Sequence, residues 1–275
     1  MFHDLNYGMN SRENLETEGQ NPNYASIDKK SIHEILCIIN HEDKSVASEI
    51  ENAILQIEET VKLCVSAIKN GHRIFYFGAG TSGRLGVLDA SEIPPTFSVD
   101  SSLFTGIIAG GDIALRKSIE GAEDVEKNGV NDLKRGGVSK GDIVIGISTS
   151  GAAKYVQSGL EYAKSIGAKT CYLICNSNPY YIVEADSIIK VKTGNEVITG
   201  STRLKAGTAT KMVLNMISTT TMIKLGKVYG NLMVDLMTVN QKLMDRGIRI
   251  VSQLTGVKNN KAKRVLKEAD NSVKK

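Results

Sequence analysis

Hydrophobic residues in the middle of this chain form short continuous runs that alternate with segments of helical periodicity. The runs predict strands at residues 73–78, 105–111, 142–148, 168–176 and 185–194. Most of these runs are apolar at successive positions rather than at every second one, which is typical of strands buried on both faces of a parallel sheet. The pattern therefore predicts an α/β fold with a doubly wound, mostly parallel sheet, flanked by N- and C-terminal helices.

The segments around the strands carry apolar residues at three- and four-residue spacing, which indicates helices. The main helices are expected at residues 27–46, 46–71, 82–93, 112–137 (as one or two), 153–167 and 203–226. We expect Gly71 to cap the second helix and Pro94 and Pro95 to stop the third, because proline lacks the backbone N–H that a helix needs.

Composition divides the chain into three parts. Residues 1–64 are predicted to hold a polar arm of about 25 residues, extended or loosely packed, and the first helices. Residues 65–228 form the predicted sheet domain, and residues 229–275 a C-terminal helical segment.

Charge and cysteine content exclude several classes of protein. The net charge is only +4, and the basic C-terminal stretch is typical of a solvated helix, so we expect no nucleic-acid partner. No apolar run reaches 18 residues and no signal-peptide pattern is present, so we expect a cytoplasmic protein without a membrane partner. Cys171 and Cys175 are expected to be buried core thiols, and without a His–Cys cluster no metal site is predicted.

The first strand ends in glycines. Gly78, Gly80 and Gly83 satisfy the G-x-G-x-x-G pattern of a dinucleotide-binding turn. That fingerprint also requires an acidic residue about 20 positions on, at the end of the second strand. Asp100 lies at that distance, but it precedes the next strand instead of ending it. The context therefore argues against a dinucleotide.

Hydroxyl-bearing residues follow three of the predicted strands. Thr81 and Ser82 stand where the first strand passes into a helix, and they could either cap that helix or donate to a phosphate. The other two loops contain Ser148, Thr149, Ser150 and Gly151, and then Ser201, Thr202, Arg203 and Lys205. Because parallel strands place their carboxyl ends at one edge, these loops predict a site for a phosphorylated small molecule and favour a sugar phosphate.

The strand-Ser-x-Ser-Gly-helix loops resemble the sugar isomerase (SIS) domain. A set of longer motifs, in order and spacing, resembles the N-acetylmuramic acid 6-phosphate etherase family. These motifs occupy residues 17–28, 78–97, 106–111, 120–126, 197–218 and 226–236. The resemblance implies a lyase that cleaves the D-lactyl ether of its substrate without a cofactor or metal, and a homodimer, since SIS domains commonly build sites at subunit interfaces.

The same resemblance assigns roles to individual residues. Glu92 would be the acid that protonates the departing lactate, and Glu123 the base that removes the proton at carbon-2. Substrate binding would fall to Thr81, Ser82, Gly83, Ser148, Thr149, Ser150, Gly151, Ser201, Thr202 and Lys205.

Local sequence adds expectations about these side chains. Pro94 should force Glu92 onto a rigid bend rather than a solvated helix face. Glu120 would lie on the same side as Glu123 if a helix forms there, and like charge would then raise a carboxyl pKa. Lys205, with Arg203, could bind the lactyl carboxylate or the phosphate, or could be a surface charge on the first turn of the long helix.

The chain also departs from the family. Ala152, Ala153 and Lys154 stand where the family typically has Arg-Thr-Pro, so a phosphate donor is expected to be lost. The C-terminal helical module is expected to be shorter than usual. A non-catalytic sugar-phosphate sensor remains the main alternative, although it would not need both glutamates. An aldose–ketose isomerase and a transcriptional regulator fit the motifs less well.

Overall fold

Five strands form one parallel sheet. The computed structural model describes residues 15–235, 241–270 and 272–274. The strand order is β2-β1-β3-β4-β5. The strands are β1 Ile74–Gly78, β2 Phe104–Ile108, β3 Ile143–Ile147, β4 Lys169–Ile174 and β5 Ser187–Lys190. The predicted doubly wound parallel α/β architecture is therefore confirmed.

Helices cover both faces of the sheet. They are α1 Ile32–Glu51, α2 Ile54–Lys69, α3 Gly80–Phe97, α4 Ile113–Arg116, α5 Glu126–Arg135, α6 Lys154–Ser165, α7 Lys205–Lys224, α8 Gln241–Thr255 and α9 Asn259–Glu268. Ile74 and Tyr76 of β1 pack among α1, α2, α3 and α7, whereas Phe75 and Phe77 pack against the layer of α5 and α6. All four side chains are buried, because alternate residues of a strand face opposite layers.

The first two helices meet later than the sequence predicts. α1 continues past Val46 to Glu51, and the helical conformation is interrupted at Asn52 and Ala53 before α2 begins. Ala53 is fully buried with Ile50, so packing of the turn, rather than a polar cap, sets this boundary. Gly71 follows α2 with a φ of +80°, as expected of a C-terminal cap.

The prediction that Pro94 and Pro95 stop the third helix is wrong. α3 runs through both prolines to Phe97 and ends at Ser98, which adopts a left-handed conformation. Each proline removes one backbone hydrogen bond from the helix. Burial of Ile93 and Phe97 in the core holds this last turn in place despite that loss.

The described part of the N-terminal arm is anchored to the protein by two buried residues. Short 3-10 turns occupy Glu16–Glu18, Pro22–Tyr24 and Ile27–Lys29. Leu15 and Thr17 are almost completely buried, so the expectation of a loosely packed arm is wrong at these two positions, whereas Glu18 and Gln20 are exposed. Residues 1–14 lie outside the described chain. The predicted boundary after residue 64 falls inside α2, and the division into three parts stays a prediction.

Gly78 of β1 and Gly83 of α3 allow the helix to pack directly against the strand. A Cβ atom at Gly83 would lie 2.6 Å from the carbonyl oxygen of Gly78 and 2.6 Å from Cγ1 of Ile108. Neither neighbour can yield without moving the strand or repacking the core. This contact sets how closely the helix N-terminus approaches the sheet.

We predict that Gly83→Ala lowers the free energy of unfolding by about 1–3 kcal/mol, since overpacking forces backbone shifts. Gly207→Ala is the matched control, because a Cβ there meets neighbours only at 3.4 and 3.5 Å, in ordinary contact. This helical substitution should raise stability by about 0.5–1 kcal/mol. Urea unfolding of both variants is the measurement, and equal stabilities would contradict the close approach.

Candidate functional site

The candidate site lies where the direction of the chain connections reverses across the sheet. β1 and β3 are hydrogen-bonded neighbours, with Gly78 paired to Ile147 at their carboxyl ends. The connection after β1 leads outward to β2, whereas the connection after β3 leads to β4 on the other side. Such a switch point opens a crevice at the carboxyl edge, where α/β sheets bind ligands.

The β1–α3 loop leaves the N-terminus of its helix open. Gly80 adopts a φ of +52°, and the N-cap residue Ala79 provides no side-chain acceptor. Thr81 and Ser82 lie inside the first turn of α3, so the alternative that one of them caps the helix is wrong. Among the described residues neither hydroxyl makes a hydrogen bond, and both are available to a ligand. Gly83 donates its N–H to Ala79 and contributes packing.

The β3–α6 loop is a compact turn. The N–H of Gly151 donates to the carbonyl of Ser148 at 3.0 Å. The hydroxyl of Ser150 accepts from the N–H of Ala152, and that of Ser148 from the N–H of Ala153. Gly151 has a φ of +72°, and a Cβ there would lie 2.3 Å from Pro179, so a larger residue fits neither the backbone nor the space.

The third loop, between β5 and α7, meets the other two. The thiol of Cys175, which follows β4, contacts the carbonyl of Ala206 at 3.6 Å, while its N–H donates to the carbonyl of Thr149. The Thr81 methyl group and the Thr202 carbonyl both lie against Gly207 in the first turn of α7. The structure therefore brings all three predicted loops, including the half-buried Ser201, to one edge.

A residue missed by the sequence reasoning occupies the N-terminus of α7. The Glu196 carboxylate accepts from the N–H groups of Lys205 and Ala206, at 3.0 and 2.9 Å. Its side chain is fully buried. Burial raises the pKa of Glu196, and the two N–H donors oppose that rise. None of the N-cap residues of α3, α6 and α7 provides a side-chain cap, but α7 alone of these three has a carboxyl group, that of Glu196, on the N–H groups of its first turn.

Lys205 is not the surface charge that one interpretation expected. The residue is only 3% exposed, and its ammonium group pairs with Glu42 of α1. The hydroxyl of Tyr24 donates to the same carboxylate at 3.0 Å. Burial alone would raise the pKa of Glu42, but hydrogen bonds from Lys205 and Tyr24 lower it overall. No local pattern in the sequence marks Glu42 as this partner, while Arg203 is exposed.

Glu123 lies beside the open end of α3. It belongs to the 3-10 turn Ala122–Asp124 and lines a small cavity of about 160 Å³ together with Gly80, Arg84 and Glu120. Arg84 donates to the carbonyls of Leu115 and Lys117 and so holds this loop against α3. The sequence reasoning assigned no role to Arg84. Its position directly after the G-T-S-G motif was the signal that could have marked it as a residue of the site.

The expected helix linking Glu120 and Glu123 does not form. α4 ends at Arg116 and α5 begins at Glu126, with only the 3-10 turn of Glu123 between them. Glu120 instead accepts a hydrogen bond from the Ser118 hydroxyl at 2.5 Å. The positive φ of Gly121, +71°, is incompatible with a continuous helix there.

Glu92 lies far from the loops within one chain. It is an exposed residue of α3, ten positions beyond Ser82, so the expectation of a rigid bend away from a solvated helix face is wrong. Ten residues of α-helix correspond to about 15 Å along the axis. The structure therefore brings Glu123, but not Glu92, to the N-terminus of α3.

The loop positions that depart from the family make contacts of their own. Lys154 pairs with Glu126 of α5 at 3.6 Å across the surface of the second helical layer. Ala153 is buried, and Ala152 is half-buried beside Ser150. The charge at position 154 is thus engaged by Glu126.

The described residues contain no cluster of histidine, cysteine and carboxylate side chains able to hold a metal ion. Cys171 and Cys175 are fully buried, as predicted, and burial raises the pKa of each thiol to about 12. None of the described helices has the length and apolar character needed to cross a membrane.

The parallel sheet flanked by helices, with three loops meeting at its carboxyl edge, places the chain in the SIS class. Residues 56–164 match the glucokinase regulatory protein N-terminal SIS domain, and residues 123–220 match the SIS domain. A protein of Escherichia coli CFT073, solved as a ligand complex, has a TM-score of 0.53 at 15% identity, covering 74% of this chain and 97% of that one. A Neisseria gonorrhoeae phosphoheptose isomerase has a TM-score of 0.53 at 14% identity, covering 70% and 98%.

Curated relatives are more specific. An N-acetylmuramic acid 6-phosphate etherase from Petrotoga mobilis is 52% identical over 94% of this chain and 87% of its own length. One from Clostridium botulinum is 51% identical over 96% and 87%. The chain belongs to the N-acetylmuramic acid 6-phosphate etherase family.

The pair of the half-buried Glu42 and the buried Lys205 leads to a stability prediction. Lys205→Met should lower the free energy of unfolding by about 1–3 kcal/mol, between the values for exposed and fully buried pairs, because the Glu42 side chain is 16% exposed and loses its partner. The double variant Glu42→Leu/Lys205→Met should recover most of that loss. Lys154→Met, which breaks an exposed pair, is the control and should have no measurable effect. A double variant no better than Lys205→Met would contradict the pairing.

The same pair should appear in the pH dependence of stability. Since the folded pKa of Glu42 is lowered, its contribution is complete above the ordinary carboxyl pKa of about 4.3 and is lost as the pH falls below it. Urea unfolding at pH 6 and pH 3.5 should therefore show a smaller pH effect in the double variant than in the wild type.

Proposed function

We propose that this chain cleaves the D-lactyl ether of N-acetylmuramic acid 6-phosphate, giving N-acetylglucosamine 6-phosphate and D-lactate. The observation that carries the proposal is the convergence of three loops at the switch-point crevice, in a chain about half identical to etherases. We place the reaction in the cytoplasm, within N-acetylmuramate catabolism and peptidoglycan recycling.

The phosphate binds between the β1–α3 and β3–α6 loops in this proposal. Thr81, Ser82, Ser148 and Ser150 supply hydroxyl groups, and the uncapped helices supply backbone N–H donors. The N-terminus of α7 plays a smaller part, because Glu196 already accepts from it. Ser201 and Thr202 border the site without an open helix end behind them.

The reaction proceeds by elimination and hydration on the ring-opened sugar. Glu123 removes the proton from carbon-2, which is acidic because it lies next to the aldehyde, and the C–H electrons form the carbon-2–carbon-3 double bond. The bond from carbon-3 to the lactyl oxygen breaks, and protonated Glu92 donates its proton to that oxygen. Water then adds its hydroxyl group to carbon-3 and a proton to carbon-2. Each proton transfer contributes about 10²–10⁴ in rate.

Glu92 reaches this site from a second copy of the chain in the proposed homodimer. The separation of about 15 Å along α3 keeps Glu92 away from Ser82 of its own chain. Its exposure leaves it accessible to a partner, and Leu88, one turn earlier on the same helix, is 49% exposed. An apolar residue beside an exposed acid suits a subunit contact.

Substitution of the glutamates tests the reaction. Glu92→Gln and Glu123→Gln should each lower the rate of D-lactate release by about 10²-fold or more, because glutamine retains the shape but cannot transfer the proton. Glu161→Gln, on the exposed surface of α6, is the control. Wild-type binding of the sugar phosphate without lactate release would instead favour the sensor, and full activity in both variants would reject the acid–base assignment.

Mixing the two inactive variants tests the shared site. If each site takes Glu92 from one chain and Glu123 from the other, half of the randomly paired dimers contain one intact site. Roughly a quarter of wild-type lactate release should then return. Recovery must appear only after subunit exchange, followed by native mass spectrometry, and no recovery in confirmed heterodimers would place both glutamates in one chain.

A further inference from the structure

A buried asparagine ties the β3–α6 loop to the N-terminal arm. Asn176, two residues after β4, is fully buried. Its amide nitrogen donates to the Thr149 carbonyl at 2.9 Å and to the Thr17 hydroxyl at 3.1 Å. Its amide oxygen accepts from the Thr17 N–H at 3.2 Å. One side chain thus uses both amide protons and its oxygen to connect two segments more than a hundred residues apart in sequence.

These bonds fix the orientation of one peptide group in the loop. The Thr149 carbonyl accepts from both the Cys175 N–H and Asn176, so both of its lone pairs are used. The peptide is planar and trans, so its N–H, which belongs to Ser150, points away from this carbonyl. Among the described residues the Ser150 N–H has no acceptor. Anchoring the carbonyl inward therefore aims a free donor away from the protein interior.

Thr17 extends this connection to the third loop. Its carbonyl accepts from the N–H of Gly200, and Asn195 donates to the Gln20 carbonyl at 2.9 Å. Thr17 itself is fully buried. The arm consequently bridges the β3–α6 and β5–α7 loops, which otherwise belong to separate strand connections.

We infer that Asn176 and Thr17 are positioning residues that hold the loop of residues 148–151 in its phosphate-binding conformation. The inference rests on the proposed function, which places the phosphate at this loop. Neither side chain can touch the ligand itself, because both are fully buried. They act through the Thr149 carbonyl and the Ser150 N–H.

The test compares three substitutions in the full-length chain. Asn176→Leu removes all three bonds at similar volume, and Thr17→Val removes one while keeping shape and N–H. Thr60→Val is the matched control, since Thr60 is also fully buried and its hydroxyl bonds to Ser187 at 3.0 Å between α2 and β5. Calorimetry measures the Kd for N-acetylglucosamine 6-phosphate and for inorganic phosphate, and hydrogen exchange reports on residues 148–151.

We expect Kd to rise about tenfold for Asn176→Leu and about threefold for Thr17→Val, in line with the loss of three bonds and one. In both variants, amide hydrogen exchange of residues 148–151 should become faster, while kcat for lactate release changes less than about twofold. Thr60→Val should lower the melting temperature but leave Kd and loop exchange unchanged.

Unchanged Kd and loop exchange in both Asn176→Leu and Thr17→Val would overturn the inference, as would an equal change in Thr60→Val. A wild-type chain that releases no lactate, while the variants still weaken phosphate binding, would sink the proposed reaction and support the positioning role.

Discussion

The parallel pairing of β1 with β3 is the constraint on which the candidate site depends. Gly78 and Ile147 are register partners at the carboxyl ends of the two strands, so the next residues along each strand emerge side by side. A shift of one residue would separate the two loops and exchange the side chains facing each helical layer. Full burial on both faces fixes this register, because Ile74, Phe75, Tyr76 and Phe77 all have specific neighbours.

Helix N-termini at this edge differ in how their charge is satisfied. At the start of α7, the buried carboxylate of Glu196 accepts hydrogen bonds from the backbone N–H groups that an external anion would otherwise bind. α3 and α6 begin on alanines without side-chain caps. An anion entering the crevice therefore meets two open helix ends and one that is already occupied. In the function that we propose, this difference directs the phosphate toward the loops after β1 and β3, although all three loops carry hydroxyl groups.

Local patterns in the sequence account for the sheet, the order of its elements and the loops that meet at its edge. These patterns do not predict features that depend on contacts between residues distant in the sequence. Proline usually ends a helix, but α3 continues past Pro94 and Pro95 because Ile93 and Phe97 are packed in the core. The partners of Lys205 and Thr149 are Glu42 and Asn176, whose neighbours in sequence say nothing about the loops. Asn176 did offer one signal, as the polar last residue of a predicted apolar strand, but the sequence did not indicate its partner in the arm.

The two glutamates pose different structural problems. Glu123 reaches the open end of α3 through a turn held by Arg84, so this carboxyl group and the hydroxyl-bearing loops belong to the same chain. Glu92 is separated from that end by the length of about three helical turns, and no side-chain rotation closes such a gap. Because α3 is packed against the sheet through Gly83, it cannot slide toward the crevice either. One folded chain therefore brings Glu123 and the hydroxyl-bearing loops together, whereas the acid–base pair that we propose needs Glu92 from a second copy of the chain.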